Sequence, residues 1–381
     1  MAFLRSERYA AFLLIGAAIL GLVIANSPLV GAFSAAKAFH FGIPAIGIDL
    51  SIGHWITDGL LAIFFFIAAI ELKHELTHGE LDSPAKALVP TIAAIGGVVV
   101  PAAVYLLIAG SGDLASGWPI PTATDIAFAL GVLAIVGKGL PSRIRVLLLA
   151  LAVIDDLIAI LIIAAFFTKE LQPLPLVLAV PVILVFGWLS YRARRSGWVV
   201  VALIALGILA WALVYLSGIH PTVAGVALGL IMAGSSAGPT RRAIEPWSNG
   251  IILPVFAFAA ALVPLPSAGI ANLSPAFWAI IVALPVGKLI GITGGALIAS
   301  SVGKGGRRVP VADLVAVAAL GGIGFTVSLL MNELAFADHP EIANEGTLAV
   351  LIASVIAALI GVVLTLARAR HYRSLSPADP S

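Results

Sequence analysis

The sequence predicts an all-α membrane protein of twelve transmembrane helices, and three observations carry that prediction. Of its 381 residues, 61% are hydrophobic and only 10% are charged, against about 45–50% and about 25% in soluble domains. The apolar residues fall into runs close to the ~20 residues a helix needs to cross a bilayer. Threading those runs back and forth puts eighteen of the 21 Lys and Arg on one side, as the positive-inside rule requires. This length would ordinarily suggest two or three soluble domains, but the composition overrides it. One polytopic domain is expected over residues 1–373, with a polar, disordered tail over 374–381. Cysteine is absent, which excludes disulfides, iron–sulfur clusters and thiol chemistry. The basic residues lie in short clusters between apolar runs, a pattern of membrane topology; the lipid bilayer is the expected partner, and nucleic acid is not.

In order, the expected spans are 9–27, 53–72, 87–109, 116–137, 144–167, 173–190, 198–217, 219–233, 249–264, 275–300, 311–335 and 347–367. A cleaved signal peptide would resemble the first, but the run is long and no small-residue cleavage site follows, so it reads as a retained helix. With the N-terminus cytoplasmic, the inner segments hold Arg5, Arg8, Lys73, Lys86, Lys138, Arg143, Arg145, Arg192, Arg194, Arg195, Arg241, Arg242, Lys304, Arg307, Arg308, Arg368, Arg370 and Arg373. Lys37 and Lys169 are external, and both termini are cytoplasmic. One basic residue remains, Lys288, near the middle of the tenth span.

Asp155 and Asp156 occupy the centre of the fifth span, and Asp125 lies in the fourth. A charge at the bilayer centre costs about 2.5–3.5 kcal/mol on insertion scales. Four such groups cost on the order of 10 kcal/mol, comparable to the stability of an ordinary domain. A structural salt-bridge cluster does not account for them, because three acids and one Lys leave a formal excess of negative charge. Such a site suits cations. Adjacent residues on a helix point about 100° apart, so one aspartate can line a cation path while the other meets Lys288. Burial and a like-charged neighbour both favour the protonated form of a carboxylate, and the pair would titrate as a coupled unit. A carboxylate that holds a proton or a sodium ion by turns has the chemistry that exchanging the two requires.

The fourth span carries Pro119 and Pro121 ahead of Thr122, Thr124 and Asp125; proline removes backbone donors and discourages a regular helix. The eleventh carries Gly321-Gly322-Ile323-Gly324-Phe325-Thr326, where three glycines permit an extended crossing; close helix packing is the alternative use of such glycines. Interrupted spans in corresponding halves point to a transporter site at the midplane. Spans 3–5 and 10–12 begin on opposite sides, each trio with its interruption in the middle helix, which suits inverted repeats over about 87–167 and 275–367.

These residues resemble the NhaA sodium/proton antiporter family, which is itself a standing example of inverted-topology repeats. The resemblance rests on Ala123-Thr124-Asp125-Ile126-Ala127-Phe128-Ala129-Leu130-Gly131-Val132-Leu133, on Ile154-Asp155-Asp156-Leu157, on Gly287-Lys288, and on Gly322-Ile323-Gly324-Phe325-Thr326. It implies that Asp155 and Asp156 bind Na⁺ or Li⁺ and protons. Asp125 and Thr124 complete the ion site by supporting two interrupted helices that cross at the midplane, and Lys288 pairs with Asp155. It further implies electrogenic exchange in a bacterial inner membrane, with no cofactor and no enzymatic reaction. A homodimer linked by a β-hairpin is also implied, here within 39–52. Glu71-Leu72-Lys73-His74-Glu75 resembles the family's pH-sensing cluster, with His74 in place of Arg; a solvated helix end is the plainer reading. His220 matches a second pH-linked position, where capping is an equal alternative, and Asp58 matches a structural acid. Two departures bear on the pH profile: Arg241 and Arg242 stand in a stretch that is often acidic and His-rich, and Ala260 stands where Asn is usual.

Other membrane proteins with paired acids fit less well. An intramembrane aspartyl protease needs its aspartates on separate helices, and a prenyltransferase needs DDxxD motifs for Mg²⁺; neither pattern is present. A passive cation channel needs no proton-exchangeable pair. A sodium-coupled solute symporter needs polar residues for its solute near the broken helices, and these are sparse.

Overall fold

The computed structural model describes residues 7–79, 81–168, 170–192, 197–265, 272–302 and 309–375. Among them, ten helices are long and apolar enough to cross a membrane, or up to eleven if the bent pair Val311–Gly321 and Phe325–Ala335 counts as one span. Thr222–Ile231 is a further apolar helix of 10 residues, about half a bilayer crossing. The chain is thus a multi-pass membrane protein. Arg5, Lys169, Arg194, Arg195, Lys304, Arg307, Arg308 and residues 376–381 of the expected tail lie outside the described residues; Ser374 and Leu375 end the last helix.

Helix boundaries fall within a few residues of expectation for most spans. The main difference is at 234–248, left between the expected spans as an inner segment and found as the helix Gly234–Trp247, which runs through a π-helical turn into Leu253–Ala260. On it, Arg241 pairs with Glu71 at 3.3 Å and with Glu245 at 3.7 Å. Polar residues at helical spacing therefore continue this helix instead of ending it.

The chain divides into two compact units, one formed by the described residues of 13–77 and 160–262, the other by those of 6–12, 78–159 and 263–375. The first unit holds the only β-structure among the described residues. Strands β1 (His40–Ile43) and β2 (Ile48–Ser51) pair antiparallel from His40↔Ser51 to Ile43↔Ile48. Pro44 opens the turn and Gly47, at φ 76°, closes it, a left-handed position that favours glycine. Behind the hairpin, Phe41, Trp55, Trp211 and Tyr215 stack in sequence with ring centroids 5.3, 5.3 and 5.8 Å apart. Ile70, Phe186, Ala210, Leu228 and Met232 form part of this unit's buried core.

In the second unit, Pro84–Ala109 and Lys288–Val302 pack backbone to backbone. A Cβ at Gly96 would fall on the Gly291 carbonyl, and one at Gly291 on the Gly96 carbonyl. Small residues allow this closeness, the usual means of joining helices where lipid gives no hydrophobic drive. The packing carries Lys288 into the unit's interior.

Candidate functional site

Two segments of the second unit leave helical geometry for three residues each, at 123–125 and 322–324. The first follows a short 3₁₀ turn, Ile120–Thr122, in which Pro121 supplies no donor. The second separates Val311–Gly321 from Phe325–Ala335, whose axes differ by 49°. Gly322 and Gly324 lie in the right-handed helical region, at φ −75°, ψ −3° and φ −91°, ψ −28°, so of the two expected uses the glycines do not serve an extended crossing. They serve close approach: a Cβ on Gly324 would meet the Ser328 hydroxyl and lie 3.1 Å from the Ala123 carbonyl.

Asp125 ties the two breaks together. Its N–H donates to the Ile323 carbonyl at 2.6 Å. Its Oδ1 caps Ile126–Val136 by accepting from the Phe128 N–H at 2.9 Å. Its Oδ2 accepts from the Thr326 N–H at 3.1 Å and the Thr326 hydroxyl at 2.6 Å. One carboxylate therefore faces the N-terminal ends of two helices, where orphan N–H groups and the helix dipole both favour an anion. Ser354 accepts from the Phe325 N–H at 3.1 Å, and Ser328 donates to the Ile120 carbonyl at 2.7 Å.

Lys288 follows a π-helical turn, Ala283–Gly287, that contains Pro285; such turns are frequent at functional sites. The ammonium is fully buried and donates to Thr124 Oγ1 at 3.0 Å and to Asp155 Oδ2. The Thr124 hydroxyl in turn donates to the Gly321 carbonyl at 2.7 Å. A continuous polar chain thus runs from the break in the bent pair, at the Gly321 carbonyl, through Thr124 and Lys288 to Asp155. Asp155 Oδ1 is buried and accepts no hydrogen bond among the described residues. Asp156, the next residue on the helix, is 5% exposed.

The structure thus brings Asp125, Thr124, Asp155 and Lys288 into one network, with Asp156 beside it. The other candidates lie in the first unit and do not form one cluster. Glu71 pairs with Arg241, and Lys73 donates to the Met232 carbonyl at 2.8 Å; His74 is exposed and Glu75 buried. His220 is buried with Nε2 at 3.3 Å from Asp58 Oδ1 and Nδ1 at 2.7 Å from Thr222 Oγ1. Asp58 and Glu71 are 13 residues apart along one run of helix, about 20 Å, so His220 and the Glu71 group occupy opposite ends of it. Sequence reasoning missed Thr326 as an Asp125 partner. It also missed a buried acid, Asp313, held by Arg368 Nε at 2.7 Å, the Tyr372 hydroxyl at 2.6 Å and Arg143 Nη2 at 3.5 Å. An Asp three residues into an apolar run was the available signal.

Comparison with known proteins identifies the family. The family model described as Na+/H+ antiporter 1 matches residues 1–365. The chain is 53% identical to a protein of Clavibacter michiganensis named Na(+)/H(+) antiporter NhaA 2, over 98% of this chain and 94% of that protein. It is 46% identical to NhaA 3 of Streptomyces coelicolor, over 98% and 81%, and 43% identical to NhaA of Thermobifida fusca, over 98% and 95%. With a family model spanning nearly its whole length and relatives well above 30% identity, the chain belongs to the Na+/H+ antiporter 1 family.

Proposed function

We propose that this chain is a secondary active Na⁺(Li⁺)/H⁺ antiporter of a bacterial plasma membrane, exporting sodium in exchange for protons, electrogenic and pH-regulated. The observation that carries the reading is Asp155: a buried carboxylate with one oxygen on Lys288 and the other without a hydrogen-bond donor, next to a second buried carboxylate. A desolvated oxygen of that kind suits a proton or a small cation. Asp156 is the principal cation ligand, Asp155 its Lys-paired neighbour, and Asp125 and Thr124 shape the site from the two breaks. Na⁺, Li⁺ and H⁺ are substrates, and the reading calls for no cofactor.

The architecture that goes with this function has twelve spans, counting the bent pair and the short helix Thr222–Ile231, with both termini cytoplasmic. The interrupted helices cross at the midplane within inverted repeats. The exposed Phe39, just ahead of β1, and Phe41 and Ile43 within it support a homodimer that pairs through the hairpin. Glu71, His74, Glu75 and His220 set the pH response, with Arg241 drawn into the Glu71 group.

The test uses everted membrane vesicles with an acid interior. Adding Na⁺ or Li⁺ dissipates the pH gradient, and Asp156→Asn abolishes the response. Full exchange in that variant sinks the site assignment, and sodium uptake without proton movement points to a channel. Repeating the assay from about pH 6 to 9 with His74→Arg beside the parent reads whether a neutral-range titrating group sets the profile; superimposed profiles remove His74 from the sensor.

A further inference from the structure

The last helix, Pro340–Leu375, is 36 residues long, far more than the ~20 that span a bilayer, and one of its faces meets the bent pair at every level. Thr347, Ser354, Gly361 and Arg368 stand at seven-residue intervals along it, a spacing that keeps side chains on one face within about 20° per repeat. Thr347 accepts from the Asn332 side chain at 3.1 Å, near the end of Phe325–Ala335. Ser354 accepts from the Phe325 N–H at the break. Gly361 lies under Leu320, so closely that a Cβ would come within 2.7 Å of the leucine side chain. Arg368 donates to Asp313 in the first turn of Val311–Gly321. One helix thus splints both halves of a broken span, and its attachments from Ser354 to Arg368 are about 21 Å apart.

Asp313 is the anchor of the first half. It is fully buried, both oxygens are engaged, and Tyr372 shares in the cluster, accepting from Arg143 Nη2 at 2.7 Å and lying under the Arg368 guanidinium at 5.1 Å. At the other end of Val311–Gly321 is the Gly321 carbonyl that receives the Thr124 hydroxyl, which in turn receives Lys288. We propose that Asp313 is a positioning residue for the ion site: by fixing Val311–Gly321 on the last helix, it sets where the Gly321 carbonyl meets Thr124 and so where Lys288 meets Asp155. Arg143 begins the helix that carries Asp155 and Asp156, so the same cluster also sets that helix's register. The contact path is physical, and coupling along it is what the experiment measures.

The proposal rests on the antiport reading only for its activity readout, so the first measurement is independent of transport. Hydrogen exchange of the purified full-length protein is followed by mass spectrometry in the parent and in Asp313→Asn. The amides of Asp125, Phe325 and Thr326 exchange about tenfold faster in the variant, while 87–109 is unchanged, the mark of local rather than global loosening. In vesicles, the Na⁺ KM rises about fivefold with Vmax within twofold of the parent. Tyr372→Phe, which keeps the ion pairs, moves both readouts the same way by less, and it carries the test if Asp313→Asn does not accumulate. Parental amide exchange at both breaks in whichever variant folds overturns the proposal. Parent vesicles that move no protons on Na⁺ addition overturn the antiport reading instead, and leave the hydrogen-exchange result to decide the positioning role.

Discussion

Asp125 and Asp155 are buried acids of the same unit, and they use their oxygens in opposite ways. Asp125 accepts from three donors on two helix ends. Asp155 meets one ammonium and leaves Oδ1 without a hydrogen bond among the described residues. A carboxylate surrounded by fixed donors is held in one state, whereas one with a bare oxygen in a dry interior has reason to take up a proton or a cation. The difference separates the acid that builds the site from the acid suited to changing its occupant, although both are equally anomalous as charges in apolar spans.

The comparison breaks most visibly in stability. Asp125→Ala strands three buried donors, each worth about 1–3 kcal/mol, and no single second substitution relieves all three. A loss of about 4 kcal/mol or more is expected, read as a steep drop in melting temperature of the detergent-solubilised protein. A variant that melts with the parent would mean that Asp125 is no keystone. Asp155→Ala also destabilises, by about 3 kcal/mol, because it leaves Lys288 buried and unpaired. Here a second change does restore stability: adding Lys288→Met removes the stranded charge, and the double variant should melt near the parent while remaining inactive in exchange. If the double variant melts as low as the single one, Asp155 is structural in the manner of Asp125, and the contrast fails.

Much of this was legible in the sequence, for physical reasons that can be named. Lipid demands long apolar helices with satisfied backbones, so Ser142–Phe166 and Gly197–Leu216 begin and end close to where hydropathy and charge put them. The buried charged group was legible because Asp155, Asp156 and Lys288 have no inexpensive place in such spans. The hairpin is weak on sequence alone because of Gly42, Pro44 and Gly47; the last two make its turn, while Gly42 sits inside β1 opposite Asp49. The Asp313 cluster escaped because its partners Arg143 and Arg368 lie 170 and 55 residues away, and each counted only as a cytoplasmic positive charge. The glycines of 321–324 left two uses open, an extended crossing or close packing, and the structure takes the second: sequence gives the residue but not the neighbour that needs the space.

The finest cut between the two acids is made at Thr326. Its hydroxyl and its N–H both donate to Asp125 Oδ2, and the side chain is 3% exposed. Thr326→Val keeps the volume and the N–H bond and deletes only the hydroxyl bond. A hydrogen bond to a charged group contributes about 1.5–3 kcal/mol. Because Asp125 Oδ2 retains one donor, the loss should sit at the lower end, about 1.5 kcal/mol. That is large enough to lower the melting temperature measurably, and too small to release the two breaks. If Asp125 only holds the scaffold, the Na⁺ dependence of exchange in Thr326→Val will match the parent's at temperatures where both are folded. If Asp125 shares the cation with Asp155 and Asp156, removing its strongest neutral donor alters the charge it presents to the site, and the Na⁺ KM moves without any loss of folded protein. A shifted KM at temperatures where both proteins are folded would place Asp125 among the ion ligands and collapse the distinction between the two acids.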